Sequence, residues 1–248
     1  MDESIRRVCC SVMYHGAHYN GWQVQVNAKS VQGTIQKALS QMHREEIKIH
    51  GSGRTDAGVH AFGQTFHFDT HFKLDEEEWK RALNSSLPSD IQILDVVFVD
   101  KSFHARKSAL GKRYDYLILL EESNPFTYQT HLSVLDELDY DAIRKVASYL
   151  IGAHDFTSLC SNSVEETPNQ VRTIHRLEIE EEENQIRYIF EGDGFLRYMI
   201  RMLMSVLLDV GKGKLSFEDV IKIIEAKDKR AYSGIVSPVG LYLMEVYY

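Results

Sequence analysis

Asp56 is the residue around which chemistry is expected. It sits in Gly51-Ser-Gly-Arg-Thr-Asp-Ala-Gly-Val-His-Ala61, with Arg54 two residues before it and His60 four after. Gly51, Gly53 and Gly58 let this backbone turn sharply or lie against a ligand. Scaffolds place chemistry on charged residues of such connections between strands. The plainer reading is a turn, because Gly, Asp and Ser are ordinary turn formers. No Gly-Lys-Ser/Thr follows, so this is not a phosphate loop, and Asp56 stands where a dinucleotide fingerprint needs glycine.

Other residues suggest partners for that carboxylate. Arg197 and Arg201 are four apart on an expected helix and would share a face. Two solvated arginines are the ordinary case. An arginine paired with a buried carboxylate would instead keep it ionised, and Asp56 is the carboxylate set in a loop suited to a ligand. Tyr114 follows Lys112-Arg113 on an expected strand. It reads either as a core aromatic or as a ring that receives a base. Phe103-His-Ala-Arg106 repeats the pairing of aromatic and base, as do Tyr14, Tyr19 and Trp22 near the N-terminus. Eleven histidines invite a metal reading, but no CxxC or HExxH accompanies them. No G-x-S-x-G is present either.

These residues need elements to hold them. Strands are expected at Ile5–Met13, Glu46–His50, Gly63–Asp69, Ile91–Asp100 and Leu110–Glu121. Helices are expected at Val31–His43 and Leu74–Leu87, the second with acids in its first turn and Pro88 after it. The second half adds a helix at Tyr140–Leu150 and a hairpin at Arg172–Glu181 and Gln185–Glu191. A long helix from near Gly194, a helix at Ser216–Ala226 and a strand at Gly240–Val246 complete it. The pattern predicts an α+β fold of two similar lobes, each a mainly antiparallel sheet flanked by helices, about a central active-site cleft. The expected division is 1–122, a connection at 123–138, and 139–248.

A chain of 248 residues, 44% hydrophobic and 26% charged, is ordinary for a globular protein. No apolar run is long enough to span a bilayer. Met1-Asp-Glu-Ser leads directly into a strand without a signal segment. Cys9, Cys10 and Cys160 make no disulfide framework, so a reduced, cytoplasmic protein is expected. The net charge of −8 argues by itself against nucleic acid. The acids, however, cluster at Asp75–Glu78, Glu121-Glu122 and Glu178–Glu183, which read as solvated faces. The bases sit elsewhere, at Arg6-Arg7, Arg54, Arg106-Lys107, Lys112-Arg113, Arg197 and Arg201. That spacing suggests a basic cleft on an acidic body.

Gly53-Arg-Thr-Asp-Ala-Gly-Val-His60 resembles the signature loop of the tRNA pseudouridine synthase A family. Six further stretches resemble that family's motifs in order. They are Tyr14-His-Gly-x-x-Tyr-x-Gly-Trp-Gln23, Phe103–Arg106 with Lys112–Tyr116, Gly152–Phe156, Val171–Ile174, Gly194–Arg201 and Gly240–Leu243. Ser233-Gly-Ile-Val-Ser-Pro-Val239 is a looser match.

The resemblance implies that Asp56 is the nucleophile, that Tyr114 stacks on the target uracil and that Arg201 pairs with Asp56. It implies that Arg54 enters the RNA in place of the flipped-out nucleotide. RNA contact is likewise implied for Phe103, His104, Ala105, Arg106, Lys107 and Leu241. The implied reaction is isomerisation of uridine to pseudouridine at positions 38, 39 and 40 of the tRNA anticodon stem-loop. A homodimer is implied, with no cofactor, metal or membrane. Two alternatives stay open beside this reading, an RNA-binding relative without turnover and a pseudouridine synthase with a shifted RNA target; the residues alone also leave open a carboxylate-dependent hydrolase of a small molecule.

Overall fold

In the computed structural model, which describes residues 5–248, contacts group the chain into two units. One runs to Leu110 and regains Tyr242–Tyr248; the other is Gly111–Leu241. The reading of Met1–Ser4 as a lead-in lies outside the described residues. The segment 123–138, expected as the connection, falls inside the second unit, because β5 before it pairs with β9 beyond it.

The elements of the first part of the chain are β1 (Arg6–Tyr14), α1 (Val31–His43), β2 (His50–Gly51), β3 (His60–Thr70), α2 (Glu76–Ser86) and β4 (Ile91–Val99). There follow β5 (Gly111–Leu119), β6 (Leu132–Ser133), α3 (Tyr140–Leu150), β7 (Gly152–Asp155), β8 (Val171–Glu181), β9 (Gln185–Gly192), α4 (Met199–Gly211), α5 (Phe217–Ala226) and β10 (Leu241–Tyr247). No helix among the described residues is long and apolar enough to cross a membrane.

In the first unit β1 lies antiparallel between β3 and β4, with Cys10 opposite both Phe66 and Val96. β10 joins β3 in parallel, Tyr242 opposite His60. Alternation along β1 buries Val8, Cys10, Val12 and Tyr14. α1 starts where Ser30 accepts the Gly33 N–H. α2 starts with a full capping box between Asp75 and Glu78. Trp79 of α2 is fully buried, 5.2 Å from the Phe68 ring and 5.7 Å from His43 of α1. The strand expected at Glu46–His50 shrinks to His50–Gly51. Ile47 and Ile49 are buried there without a ladder, so alternation at this point marks burial rather than pairing.

In the second unit β5 and β9 pair antiparallel, β8 follows β9, and β7 follows β8. β6 lies parallel to β5. Helices α3, α4 and α5 supply Ile143, Val146, Leu203, Leu207, Val220 and Ile223 to its core. Both units are therefore mixed α+β, built mainly on antiparallel pairs.

The long helix begins later than its composition suggests. Tyr198 takes φ 65°, ψ −4°, in the left-handed region, and α4 starts at Met199. Arg197 thus lies before the helix, and the shared face expected of Arg197 and Arg201 does not exist. The helix is also buried nearly all round. Met199, Ile200, Met202, Leu203, Met204, Val206, Leu207, Leu208 and Val210 are all buried, while Arg201, Ser205 and Asp209 are half-buried. Such a helix belongs to a core rather than a surface.

Replacing Trp79 by alanine is expected to destabilise the protein by about 3–5 kcal/mol, the usual cost of truncating a large buried aromatic. Urea unfolding would show it, and a loss under 1 kcal/mol (~) would contradict the packing described.

Candidate active site

The Asp56 loop is held by the N-terminal motif. Thr55, next to Asp56, shares a hydrogen bond of 2.8 Å with the buried Tyr14 hydroxyl. Its carbonyl accepts the Trp22 N–H at 3.1 Å. The Gly58 N–H donates to the Tyr19 carbonyl, and the Gly16 N–H donates to His60 Nδ1 at 3.1 Å. Gly21 has φ 81°, and a Cβ there would overlap the Thr55 carbonyl oxygen. Tyr14, Tyr19 and Trp22 are each 3% exposed. The aromatic surface for bases expected at these three residues is therefore absent; their rings pack beneath the loop.

The loop's other edge is held from β3. Ser52 Oγ donates to Gln64 Oε1 at 2.6 Å, and Gln64 Nε2 donates to the Gly53 carbonyl at 3.1 Å. At the far end His60 stacks on Tyr242 with 4.7 Å between centroids, beside the parallel pairing of β3 and β10. Between these anchors Asp56 is half-buried and Arg54 exposed. Thr55 and Gln64 were not singled out from sequence. Their signal was only a polar residue beside each glycine-bounded turn, which is too common to read.

A second built feature of this unit is the turn carrying Phe103–Lys107. Arg7 Nη1 donates to the carbonyls of Lys101 and Phe103 at 2.6 and 2.7 Å, while its Nε and Nη2 clasp Asp69 at 2.7 and 2.8 Å. His67 Nδ1 accepts the Ala105 N–H at 3.1 Å, and Tyr248 Oη donates to the Ala105 carbonyl at 2.7 Å. Ala105 is fully buried, so both its polar groups and its methyl are turned inward. His104 Nδ1 accepts the N–H groups of Arg106 and Lys107, and those two side chains are exposed. Phe103 is half-buried, 5.1 Å from Tyr248.

Three of the bases assigned to an expected basic cleft are committed internally. Arg7 is one. Arg6 donates to the Phe72 and Leu74 carbonyls. Arg113 clasps Asp115 at 2.8 and 2.9 Å, and Asp115, 1% exposed, also meets Arg187 at 3.3 Å. A buried carboxylate needs such partners, and sequence alternation does not show which arginine supplies them.

In the second unit Tyr114 is 7% exposed and lies edge-on to Phe195 at 5.5 Å. It sits opposite Phe190 in the β5–β9 ladder. Arg201 Nε donates to the Val236 carbonyl at 2.9 Å, and its guanidinium lies 5.1 Å from the Tyr198 ring centre. Arg197 sits 4.9 Å from the same ring. Leu241 is buried at the start of β10. Among the described residues no group of three or more His, Cys, Asp or Glu side chains is arranged to hold a metal.

The first unit thus carries an ordered carboxylate loop and a preformed turn with exposed cations. The family model described as tRNA pseudouridine synthase matches residues 10–106 and 146–248, and the chain belongs to this family. It is 40% identical to tRNA pseudouridine synthase A of Geobacillus sp. (strain WCH70) over 245 residues, covering 98% of each. It is 41% identical over 247 residues to the protein of that name from Oceanobacillus iheyensis, covering 98% of this chain and 97% of the relative. The corresponding Exiguobacterium sibiricum protein is also 41% identical, over 246 residues, with 98% and 97% covered.

Two predictions follow from this geometry. Gly21→Ala combines a strained positive φ with a backbone overlap, so it is expected to cost about 1–3 kcal/mol of stability. It should also slow turnover by roughly 100-fold through displacement of the loop. Urea unfolding and a single-turnover assay check these, and wild-type behaviour in both would refute the account.

The second concerns His67, which is 2% exposed. Burial first, then the Arg7 charge, lowers its pKa from 6.5 to about 4. The ring is neutral in the folded state and takes up its proton first when unfolded. Its contribution is therefore fully present above pH 6.5 and lost as pH falls towards 4. The loss amounts to roughly 3 kcal/mol. Unfolding midpoints of His67→Gln measured across that window should fall less steeply with pH than those of wild type.

Proposed function

We propose that this chain isomerises uridine to pseudouridine in the anticodon stem-loop of tRNA, at positions 38, 39 and 40. The observation that carries the reading is the match to the family and its relatives over nearly the whole chain; the presence of Asp56, Tyr114 and Arg201 in the sequence supports it.

The reaction breaks the N1–C1′ bond of uridine, turns the base and joins C5 to C1′. The C5 proton then leaves, and N1 ends protonated. On this reading the Asp56 carboxylate attacks covalently, at uracil C6 or at ribose C1′, and splits one hard step into easier ones. Arg201 keeps that carboxylate ionised. The target nucleotide must leave its stack, at a cost of a few kcal/mol (~). Stacking of the uracil on Tyr114 and insertion of Arg54 offset that cost. Arg106 and Lys107, exposed on a turn held by Arg7, His67 and Tyr248, are suited to contact phosphates. Phe103 and His104 shape that turn, and Leu241 belongs to the same RNA-binding set. The enzyme acts as a cytoplasmic homodimer on this proposal, without metal or cofactor.

The test is a single-turnover assay on unmodified tRNA carrying tritium at uridine C5 in the anticodon arm. Wild type should release tritium to water. Asp56→Asn should release none while still binding tRNA. Binding that persists without release by wild type would favour an RNA-binding relative, and no binding at all would favour a small-molecule hydrolase. tRNA affinity should also fall steeply between about 50 and 200 mM salt.

A further inference from the structure

Helix α4 keeps one polar line, Arg201, Ser205 and Asp209, spaced four apart on a helix that is otherwise buried. The segment 228–237 lies along this line within the second unit. The Asp228 N–H donates to Ser158 Oγ at 3.0 Å, and further on Tyr116 Oη donates to the Ser237 carbonyl at 2.6 Å. Between these ends the Tyr232 hydroxyl lies 2.8 Å from Ser205 Oγ and 2.7 Å from Asp209 Oδ2. The phenol O–H donates its one hydrogen bond to the carboxylate and accepts another from the serine hydroxyl. Burial, with Asp209 beside it, pushes the Tyr232 pKa up, so the phenol stays protonated.

Four residues later the segment meets the helix again, in a two-way exchange. Arg201 Nε donates to the Val236 carbonyl at 2.9 Å, and the Val236 N–H donates back to the Arg201 carbonyl at 3.3 Å. Gly234 stands between the two contacts. A Cβ there would overlap Tyr232 Oη and Ser205 Oγ, so a side chain at 234 would push against the two hydroxyls that form the anchor. The arginine is thus held at its Nε edge by a backbone carbonyl, and beside its plane by the Tyr198 ring. An arginine side chain is rotamer-rich. A carbonyl that moves releases it, and the stretch that bears this carbonyl is held by Tyr232 four residues earlier and by Tyr116 one residue later.

We propose that Tyr232, anchored to Ser205 and Asp209, is a positioning residue for the reaction: it fixes the segment whose Val236 carbonyl aims Arg201. The proposal rests on the reading of Arg201 as the partner of the catalytic carboxylate. It also accounts for Ser233–Val239 as part of the site's support, a stretch whose sequence matches the family only loosely.

The experiment uses the full-length Tyr232→Phe protein with the tritiated tRNA, at a temperature well below its unfolding midpoint. Removing one hydroxyl keeps the ring in place. The single-turnover rate at saturating tRNA is expected to fall about 10- to 100-fold, the scale of a misaimed catalytic group, while the tRNA Kd stays within about twofold. Gly234→Ala, which forces the same contact apart, should reproduce that split between rate and affinity. A wild-type rate for Tyr232→Phe overturns the proposal. So does a loss of rate accompanied by an equal loss of affinity, which marks a purely structural role. Arg201→Gln, which removes the charge, separates the two levels of the argument. If it reacts at the wild-type rate, the reading of Arg201 itself fails. If it is slow while Tyr232→Phe is fast, only the positioning role fails.

Discussion

Thr55 carries the constraint on which the rest of the first unit depends. Its hydroxyl meets Tyr14 and its carbonyl accepts the Trp22 N–H, so both handles of the residue before Asp56 are tied to one motif near the N-terminus. A loop with three glycines loses much conformational entropy when it is ordered. Here the order comes from buried aromatics beneath it and from Gln64, which bonds two points of the loop's rim. The half-exposed carboxylate is therefore presented by a rigid support rather than by a mobile loop, as precise chemistry requires.

The same economy governs the charges. A net charge of −8 is compatible with an RNA substrate because cations are sorted by role. Arg6, Arg7 and Arg113 spend their donors on carbonyls and on Asp69 or Asp115. Arg54, Arg106 and Lys107 stay exposed. Arg7 links the two groups, since its bonds to the Lys101 and Phe103 carbonyls hold the turn that displays Arg106 and Lys107. Binding through phosphates depends on local cations rather than on the sum over the chain.

In the second unit the corresponding support is helix α4. Its burial on nearly every side leaves a single polar line, and that line is where the segment around Val236 attaches. The left-handed Tyr198 at its start separates Arg197 from Arg201 and brings one aromatic ring beside both guanidinium groups.

The sequence by itself determined the elements and the chemistry-bearing residue types. Helices at Val31–His43 and Tyr140–Leu150 form where the sequence led them to be expected, and in the fold Ser30 and Asp139 cap them. The motifs in order were enough to indicate the family. Tertiary structure alone decided which of the aromatic and basic residues are buried or bonded internally and which stay exposed. Tyr14, Tyr19 and Trp22 look like a binding surface in sequence, yet they are buried. Arg113 looks like a free cation, yet it neutralises Asp115. The start of α4 turned on one residue's φ, which composition does not reveal. The physical reason is common to all of these. Periodicity reports which side of an element is apolar, a local property, whereas hydrogen-bond partners and ion pairs join residues tens of positions apart, and only the folded chain brings those together.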